Sequence, residues 1–401
     1  MNALIQRVET AIRQFQQGGM VVIADDASRE NEGDLVIAAE YATPAAINFI
    51  AHYACGTICL SLQDSYLKRL QLDLQPERAT NKTTARFTIS IDAAQGVSTG
   101  VSAIDRAKTI ATVLDPQSRP EDLCTPGHIF PLRAEPMGVL TRRGHTEASV
   151  DLAKLAKLQP AAVICEIMNP DGTMARGQAL AEFAKLYNLP LLSVDDIARY
   201  RLIHENLVYP YAQAALPTTK GGDLTIRIFR NKIDNSEITV LHLPDFIPTE
   251  HTPVRLHSEC LTGDLFGSLR CDCGTQLQMA LDYITQHNGV LLYLPQEGRG
   301  IGLGDKIRAY ALQEKGLNTV EANLEMGFAA DLRDYAWAAQ VLKALGLYNI
   351  DLLTNNPNKI NQLEGYGITI NQRIPLPSVI ATHNASYLKT KKDQLNHWIE
   401  T

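Results

Sequence analysis

The sequence lacks any apolar run long enough to cross a bilayer, which excludes a protein built around membrane-spanning helices. It also lacks an excess of basic residues. The net charge of −7 argues against a general nucleic-acid-binding surface, but it leaves room for a local basic pocket that holds a small anion. The N-terminal segment MNALIQRVETAIRQF has the periodicity of an amphipathic helix and not the pattern of a signal peptide. These absences favour a cytoplasmic protein.

Cysteine is scarce, and the odd number of seven without a secretion signal does not suit a disulfide framework. Three of the seven lie within the twenty residues RLHSECLTGDLFGSLRCDCG, at 260, 271 and 273. The other four stand among apolar neighbours in the first half, where we expect small buried hydrophobic side chains. These are Cys55, Cys59, Cys124 and Cys165.

The cluster of Cys260, Cys271 and Cys273 predicts a zinc site. Three thiolates hold the ion and leave its fourth position for water or substrate, as in catalytic sites, whereas structural sites normally close with four protein ligands. A structural zinc knuckle is the alternative, but it requires a fourth Cys or His at similar spacing. The C-terminal half is therefore predicted to be a zinc-dependent enzyme.

The chain of 401 residues exceeds what one hydrophobic core usually serves, so two domains are expected. Short β-branched runs alternate with helical patterns in both halves, which predicts two unrelated layered domains of the α/β and α+β classes. The stretch HENLVYPYAQAALPTTKGGD has no clear periodicity and contains two prolines. We therefore predict domains at 1–204 and 205–401, with a short linker at about 205–218.

The first half places charged side chains directly after the apparent strand VVIADD. Ligand sites in open α/β sheets gather outside the carboxyl ends of strands, and hard oxygen ligands there suit magnesium. The residues alone equally fit a solvated acidic loop. The charged residues are Arg29, Glu30, Glu32 and Asp34.

The segment TRRGHTEAS, residues 141–149, lies at the apparent start of a helix. Arginines beside a helix N-terminus form an anion site, so a phosphate is expected there. His145 fits a metal ligand or a base, although a single histidine is more often neither. Glu166, in the apolar run AAVICEIM, fits a general acid/base and equally a buried ion pair.

Residues 1–200 resemble 3,4-dihydroxy-2-butanone-4-phosphate synthase through RENEGDLVIAAE, GVSTGVSAIDRAKTI, PGHIFPL, RRGHTEASVDLAKLA and CEIMNPDGTMAR. The resemblance implies conversion of ribulose 5-phosphate to a four-carbon dihydroxybutanone phosphate plus formate. It implies magnesium or manganese at Glu30 and His145, and required catalytic roles for His128 and Glu166. It assigns sugar-phosphate contacts to Arg29, Glu30, Asp34, Arg142, Arg143, Gly144, His145, Thr146 and Glu166.

Residues 212–390 resemble GTP cyclohydrolase II through RLHSECLTG, RCDCG, QEGRGIGLGDKIRAYALQEKG, GFAADLRDY and LLTNNPNK. The resemblance implies zinc at the three cysteines and a second divalent ion with the GTP phosphates. Asp331 is implied as proton acceptor and Arg333 as the group that attacks the α-phosphorus, for which electrostatic stabilisation is a rival role. The implied GTP contacts are Arg255, Leu256, His257, Ser258, Glu259, Gln276, Glu297, Gly298, Arg299, Thr319, Thr354 and Lys359.

The chain departs from the family patterns at a few positions. Ala27 and Ser28 interrupt the acidic run, Thr125 stands where an arginine is common, and Pro295 stands where the cyclohydrolases often have arginine. The segment PERATNKTTARFTISID also differs from the proline-rich sequence that is usual in the synthase family.

Together the two resemblances predict a bifunctional enzyme that makes both precursors of riboflavin, and the synthase resemblance implies a homodimer. One alternative is a single active half with the other as scaffold. Another is a regulatory nucleotide- and zinc-binding module without turnover.

Overall fold

The computed structural model describes residues 2–76 and 85–399, and PERATNKTTARFTISID falls partly outside them. The chain divides into two compact units, Asn2–Arg201 and one that begins at Leu202. Each unit contains its own seven-stranded sheet. The predicted class, two layered domains that combine helices and sheet, is confirmed. Among the described residues, none of the helices combines the length and the hydropathy that crossing a bilayer requires.

The first half alternates strands with helices, as the sequence pattern predicts. The predicted N-terminal helix is present, and the helix predicted at TPAAINFIAHYA begins after Thr43, whose side chain accepts a hydrogen bond from the Ala46 amide. The elements are α1 Asn2–Gln16, β1 Val21–Ala24, β2 Gly33–Ala38, α2 Pro44–Tyr53, β3 Cys59–Leu62, α3 Asp64–Leu70, β4 Ile91–Ala93, α4 Ala103–Leu114, β5 Leu123–Arg133, α5 His145–Leu155, β6 Ala161–Glu166, α6 Gln178–Leu186, β7 Leu191–Ser193 and α7 Val194–His204.

The first sheet has the strand order β4-β5-β3-β6-β2-β1-β7 and is covered on both faces. Successive residues of β2 alternate between two cores: Leu35 packs in one with residues of α2, α4 and α6, and Val36 packs in the other with residues of α1, α5 and α7. Burial on both faces explains why the strands read as nearly continuous apolar runs. On the second of these faces, α5 begins at a predicted site residue, His145.

The second half is built on a mixed sheet with the order β14-β13-β11-β12-β10-β9-β8. Strands β11 to β14 are parallel to their neighbours, apart from the antiparallel pairing of β12 with β10. The elements are β8 Val208–Thr218, β9 Gly222–Asn231, β10 Glu237–His242, β11 Thr252–Ser258, α8 Leu261–Asp264, α9 Cys273–Gln286, β12 Val290–Leu294, α10 Gly302–Gln313, α11 Thr319–Glu325, α12 Ala336–Ala344, β13 Asn349–Leu353, α13 Pro357–Gly365, β14 Thr369–Ile374 and α14 Ala385–Leu395.

The stretch predicted as linker, about 205–218, is mostly the strand β8, so that part of the prediction is wrong. β8 lies at the edge of the sheet and pairs with β9, and its register shifts between Pro210 and Ala212. Edge strands and bulges are where a sheet tolerates proline, which lacks the amide hydrogen of the ladder. The two prolines of this strand therefore conceal it from a reading of the sequence.

Two candidate active sites

Three predicted residues of the first half lie on one row across its sheet. Asp34 in β2 is opposite Glu166 in β6. Cys59 in β3 pairs with Phe130 in β5 and with Ile164 in β6. His128 is two residues before Phe130 and Glu166 is two residues after Ile164, so both are displaced toward the same end of β3 because β5 is parallel to it and β6 antiparallel. Because strand side chains alternate between faces, all three point to the same face. With neighbouring strands about 4.8 Å apart, the strands of His128 and Glu166 are separated by about 10 Å.

A group of potential metal ligands lies at the end of this row. Ligand atoms of Asp25, Glu30 and His145 are all within 4.8 Å of one another. The structure thus brings together the two predicted magnesium ligands and adds Asp25, which the sequence analysis did not single out. Its position as the first acid after β1 was the available signal. Asp25 also accepts hydrogen bonds from Arg29 Nη1 at 2.7 Å and from the Glu32 amide at 2.9 Å.

The donor set fits a divalent cation. It offers two carboxylates and an imidazole, and the buried His145 Nε2 and Asp34 Oδ1 have no hydrogen-bond partner among the described residues. Asp34 Oδ1 lies 3.8 Å from His145 Nδ1. Burial raises the pKa of Asp34 to about 7, against the opposing attraction of His145. Buried polar atoms without partners beside paired acids are what a cation with its waters would satisfy.

His128 is held by an acid that the sequence analysis missed. Its Nδ1 lies 2.7 Å from Asp92 Oδ2, and its amide donates to Asp92 Oδ1 at 3.0 Å. Gly100 packs against this pair so tightly that a Cβ atom would lie 2.1 Å from Asp92 Oδ2 and 2.6 Å from His128 Nδ1. Asp105 fixes the glycine by accepting hydrogen bonds from the Ser98 hydroxyl and the Gly100 amide. The motif GVSTGVSAIDR therefore positions His128.

The predicted phosphate loop contains the N-terminus of α5. Gly144 is its N-cap, and His145 is its first residue. Arg142 Nη1 donates to the buried Glu147 at 2.6 Å, and Arg143 pairs with Asp195 at 3.2 Å on the surface. Both arginines thus have carboxylate partners in this structure. Thr146 is buried, and its phosphate role remains a prediction, as do those of the other loop residues.

Glu166 is the last residue of β6 and is only partly buried. Its Oε2 accepts a hydrogen bond from the Thr57 amide at 2.8 Å, so neither a buried ion pair nor isolation in the core describes it. Among the departures, Ser28 donates twice to Asp26 and Thr125 is exposed in β5. The prediction that the four cysteines of this half are buried is right for Cys59 and Cys165 and wrong for Cys55 and Cys124, which are exposed where the chain turns or bulges.

The second site lies outside the carboxyl ends of three parallel strands. Ser258 ends β11, Leu294 ends β12 opposite it, and Leu353 ends β13. The cysteine segment follows β11, the glycine-rich loop follows β12, and the asparagines of LLTNNPNK follow β13. This is the edge where open α/β sheets bind ligands.

The three cysteines converge as predicted. Their Sγ atoms all lie within 4.8 Å of one another, and those of Cys260 and Cys271 are 3.7 Å apart. Two thiolates bound tetrahedrally at the usual zinc–sulfur distance of about 2.3 Å are separated by about 3.8 Å. No fourth Cys, His or acid joins this group among the described residues. The site fits a zinc ion with an open position and does not fit a closed structural knuckle.

A buried lysine that the sequence analysis missed supports this site. Lys306 Nζ donates to Cys260 Sγ at 3.2 Å and to Glu297 Oε1 at 2.7 Å. Hydrogen bonds from the other two thiols, and the nearby Lys306, lower the pKa of Cys260. Glu297 also accepts from the amides of Leu261 and Gly298, so both of its oxygens are used within the protein. This carboxylate ties the cysteine segment to the glycine-rich loop.

Two adjoining cavities contain nearly all of the predicted GTP contacts. All three cysteines line the first cavity. The residues that line both cavities are Ser258, Cys273, Arg333 and Tyr387. Leu256 lines neither, because its side chain is buried in the core, although its carbonyl accepts from Lys359 Nζ at 2.7 Å. The first cavity holds Glu259, Glu297, Gly298, Arg299 and Thr319, and the second holds Arg255, His257, Gln276, Thr354 and Lys359.

The glycine-rich loop presents a strained arginine to the first cavity. Gly298, Arg299 and Gly300 all have positive φ, and Arg299, at 63°, is the one without the freedom of glycine. Its two terminal nitrogens are buried without a hydrogen-bond partner among the described residues. The helix after the loop begins at Gly302. Pro295, at the start of the loop, is exposed.

Asp331 and Arg333 form a bidentate pair, of which Arg333 lines both cavities and Asp331 lines neither. Arg333 Nε donates to Asp331 Oδ1 at 2.8 Å, and Nη2 donates to the second oxygen. Burial alone would lower the pKa of Arg333, but Tyr335 and the Asp331 carboxylate outweigh it and raise that pKa. A protonated guanidinium has no lone pair for attack, so this geometry favours the electrostatic role over the covalent one.

The comparisons with known proteins agree with this division into two sites. The family model of 3,4-dihydroxy-2-butanone 4-phosphate synthase matches residues 9–200. That of GTP cyclohydrolase II matches residues 210–375. The riboflavin biosynthesis protein RibBA of Aquifex aeolicus (strain VF5) is 50% identical over 394 residues, which cover 97% of this chain and 97% of the relative.

A second relative of the same name, from Synechocystis, is 49% identical over 401 residues, covering 99% of this chain and 72% of its own. A crystal structure titled RibBX, a two domain 3,4-dihydroxy-2-butanone 4-phosphate synthase from A. baumannii, matches with a TM-score of 0.67 and 32% identity. The matched region covers 92% of this chain and 99% of the RibBX chain. The chain therefore belongs to the RibBA family of bifunctional riboflavin biosynthesis enzymes, in which a synthase domain, acting as a lyase, precedes a cyclohydrolase domain, acting as a hydrolase.

Proposed function

We propose that this chain itself carries out both reactions of its family, one in each half. The first half converts D-ribulose 5-phosphate to 3,4-dihydroxy-2-butanone 4-phosphate and formate. The second hydrolyses GTP to 2,5-diamino-6-ribosylamino-4(3H)-pyrimidinone 5′-phosphate, formate and pyrophosphate. The observation that carries the proposal is that each half brings its own metal-ligand group together beside potential acid–base residues. We also propose domains at 1–204 and 205–401, a homodimer and a cytoplasmic location.

In the first half, Glu30 and His145, joined by Asp25, would hold magnesium or manganese. When bound, the divalent ion polarises the carbonyl and hydroxyl oxygens of the sugar. The reaction requires enolisation, loss of water, a skeletal shift and release of one carbon. Each step moves protons beside oxygens, a task for Glu166 and His128. The bond from Nδ1 of His128 to Asp92 leaves Nε2 to face the substrate.

The sugar phosphate is assigned to the N-terminus of α5. The amides at the start of this helix and the side chain of Thr146 supply donors, and Arg142 and Arg143 add positive charge. Arg29 lies beside the metal group, where it forms ion pairs with Asp25 and Glu30. The substrate is thus proposed to extend from the acids after β1 to the helix start.

In the second half, Cys260, Cys271 and Cys273 would hold zinc at the wall of the first cavity. When bound with one open position, zinc lowers the pKa of water and so supplies hydrolytic chemistry near neutral pH. The purine ring is therefore assigned to the first cavity. Arg299, with its unpaired buried nitrogens, and Thr319 supply polar contacts for the base. Placing the ring there directs the triphosphate to the second cavity, whose described lining has cations but no carboxylate.

Loss of pyrophosphate requires positive charge beside the α-phosphate. Arg333 lines both cavities and is therefore placed where the base and phosphate parts of GTP would meet. Its ion pair with Asp331 fixes the plane of the guanidinium. We assign to it electrostatic stabilisation of the leaving phosphates, with magnesium bound to the phosphates as a further source of charge.

The test is identification of products from the purified protein. GTP with zinc and magnesium should yield pyrophosphate and a pyrimidine product, and ribulose 5-phosphate with magnesium should yield a four-carbon phosphate, each identified by mass spectrometry. Absence of turnover with both substrates would refute the proposal.

One alternative has a specific observation in its favour. The RibBX structure, which matches over nearly the full chain, is titled only as a synthase, in accord with a scaffold role for a second domain. In this chain the converged thiols and the buried cations of the second half favour activity instead. Turnover of ribulose 5-phosphate alone would select the scaffold function, and turnover of GTP alone would make the first half the scaffold.

A further inference from the structure

The C-terminal segment of the chain takes part in forming the second cavity. The cyclohydrolase family model ends at residue 375, whereas Tyr387, Lys391 and His397 line this cavity together with predicted GTP contacts. Tyr387 and Lys391 lie on α14, one turn apart, and His397 follows the helix. None of the three belongs to the predicted site.

Asn355, in the loop after β13, anchors both ends of this segment. Its side chain donates to the carbonyl of Leu376 and accepts from the Leu376 amide, and its own carbonyl accepts from the Trp398 amide at 2.9 Å. Asn355 itself lines the second cavity. Because residues 376 and 398 are pinned at one point of the cavity wall, the helix between them is held against the cavity. This attachment is a built feature of the domain and not a loose terminus.

Lys391 is anchored inside the domain. Its Nζ donates to Asp272 Oδ1 at 3.0 Å and lies 4.5 Å from the centre of the Tyr387 ring, and its side chain is only 12% exposed. The other oxygen of Asp272 accepts from Gln276, a predicted GTP contact. The lysine thus reaches the same wall as residues expected to meet the nucleotide.

The charges of the second cavity are unbalanced. Its described lining contains four cations and no carboxylate; the cations are Arg255, Arg333, Lys359 and Lys391. Burial, followed by the charges of Arg255, Arg333 and Lys391, lowers the pKa of Lys359 well below its usual value. Arg333 and Lys391 pair with carboxylates that lie outside this lining. Arg255 and Lys359 donate instead to neutral oxygens, and buried positive charge without a carboxylate partner is costly unless an anion binds. The cavity is therefore suited to a polyanion, and α14 supplies one of its four cations.

We propose that the segment Tyr387–His397 completes the triphosphate part of the GTP site. Lys391 and His397 bind phosphate oxygens, and Tyr387, which lines both cavities, forms the wall between the base and phosphate parts. Arg299, in the first cavity, faces the same ring, and its guanidinium carbon lies 5.8 Å from the ring centre. The inference rests on the proposed GTP cyclohydrolase function and extends it to residues beyond the matched family region.

The test is calorimetric binding of pyrophosphate and of guanosine to the full chain loaded with zinc, which does not depend on turnover. In Lys391→Met the Kd of pyrophosphate should rise roughly tenfold or more, as expected on loss of a charge-assisted hydrogen bond. The Kd of guanosine should stay unchanged. Lys389→Met is the matched control, since Lys389 lies exposed on the same helix, and it should match the wild-type protein.

Lys391 also contacts Asp272, which lies between two of the cysteines, so its loss could disturb the zinc site. Measuring the zinc content of the variant distinguishes loss of a phosphate contact from loss of the metal. His397→Gln, a change outside the Asp272 contacts, provides the second variant and should also weaken pyrophosphate binding while zinc content and guanosine binding persist. Pyrophosphate affinities of both variants equal to that of Lys389→Met would overturn the inference, as would equal losses for pyrophosphate and guanosine. Absence of GTP turnover by the wild-type protein would instead refute the proposed function.

Discussion

Gly263 packs so closely against the cysteine cluster that a Cβ atom on it would lie 2.9 Å from Cys271 Sγ and 3.1 Å from Cys260 Sγ. Any side chain at this position would therefore collide with the cysteines, which explains why the residue is glycine. It lets the turn of α8 approach the sulfurs of Cys260 and Cys271. The close contact links the glycine of the ECLTG motif to the predicted zinc site.

Gly263→Ala should weaken zinc binding because the added methyl displaces two of the three sulfurs. We expect a loss of roughly 10- to 100-fold in zinc affinity, as for other changes that misplace metal ligands, with a parallel loss of GTP turnover. Competition with a chelator measures the affinity. Gly304→Ala is the control, because nothing lies within 4 Å of a Cβ there. Equal zinc affinity in the two variants would contradict the prediction.

Cys271→Ser should abolish GTP turnover and leave the sugar reaction intact, because it removes one of only three ligands in the cluster. Metal analysis should show loss of zinc from the protein. Cys124→Ser, at an exposed cysteine of the first half, should keep both activities and the zinc. Retained zinc with full GTP turnover in Cys271→Ser would show that the thiol cluster is not the metal site.

His145→Ala should give the converse result. It removes the imidazole from the group with Asp25 and Glu30, so turnover of ribulose 5-phosphate should fall to background while GTP turnover persists. The exposed His52→Ala serves as the control and should keep both activities. A folded His145→Ala protein that lost both activities would contradict the assignment of separate sites.

Asp92→Asn should slow the synthase reaction by about 10²-fold or more in kcat with little change in KM, because the imidazole of His128 loses the carboxylate that orients it. The pH dependence of kcat should shift as well, a change that a purely structural role would not produce. Glu121→Gln, at an exposed acid shortly before β5, is the control. An unchanged pH profile together with an unchanged kcat would exclude the pair from catalysis.

Asp105 should contribute a pH-dependent part of stability. Hydrogen bonds from the Ser98 side chain and backbone lower its pKa from the ordinary value of 3.8. Since the folded state holds the proton more weakly, the stabilisation is present above pH 3.8 and is lost as pH falls through the lowered folded value. Asp105→Asn should lower Tm at pH 7, and the difference from wild type should shrink below about pH 4. A difference in Tm that does not vary with pH would refute the ionic origin.

The sequence predicts the chemistry of this chain better than its supporting contacts. The cysteine cluster, with Cys260, is predicted from residue type and spacing, whereas Glu30 and His145 are predicted as metal ligands only through the resemblance to the synthase family. Lys306 and Asp92 could not be predicted, because their partners lie 46 and 36 residues away and only folding brings them together. β8 was concealed by edge-strand prolines, and the role of α14 depends on attachments to Asn355 that no local pattern reveals.

The measurement that tests the central claim most directly is formate release by a single preparation of the wild-type chain, supplied separately with GTP and with ribulose 5-phosphate. Two active sites predict formate from each substrate, with the GTP signal alone removed by Cys271→Ser and the sugar signal alone removed by His145→Ala. Formate from neither substrate, or the loss of both signals in either folded variant, would contradict the account.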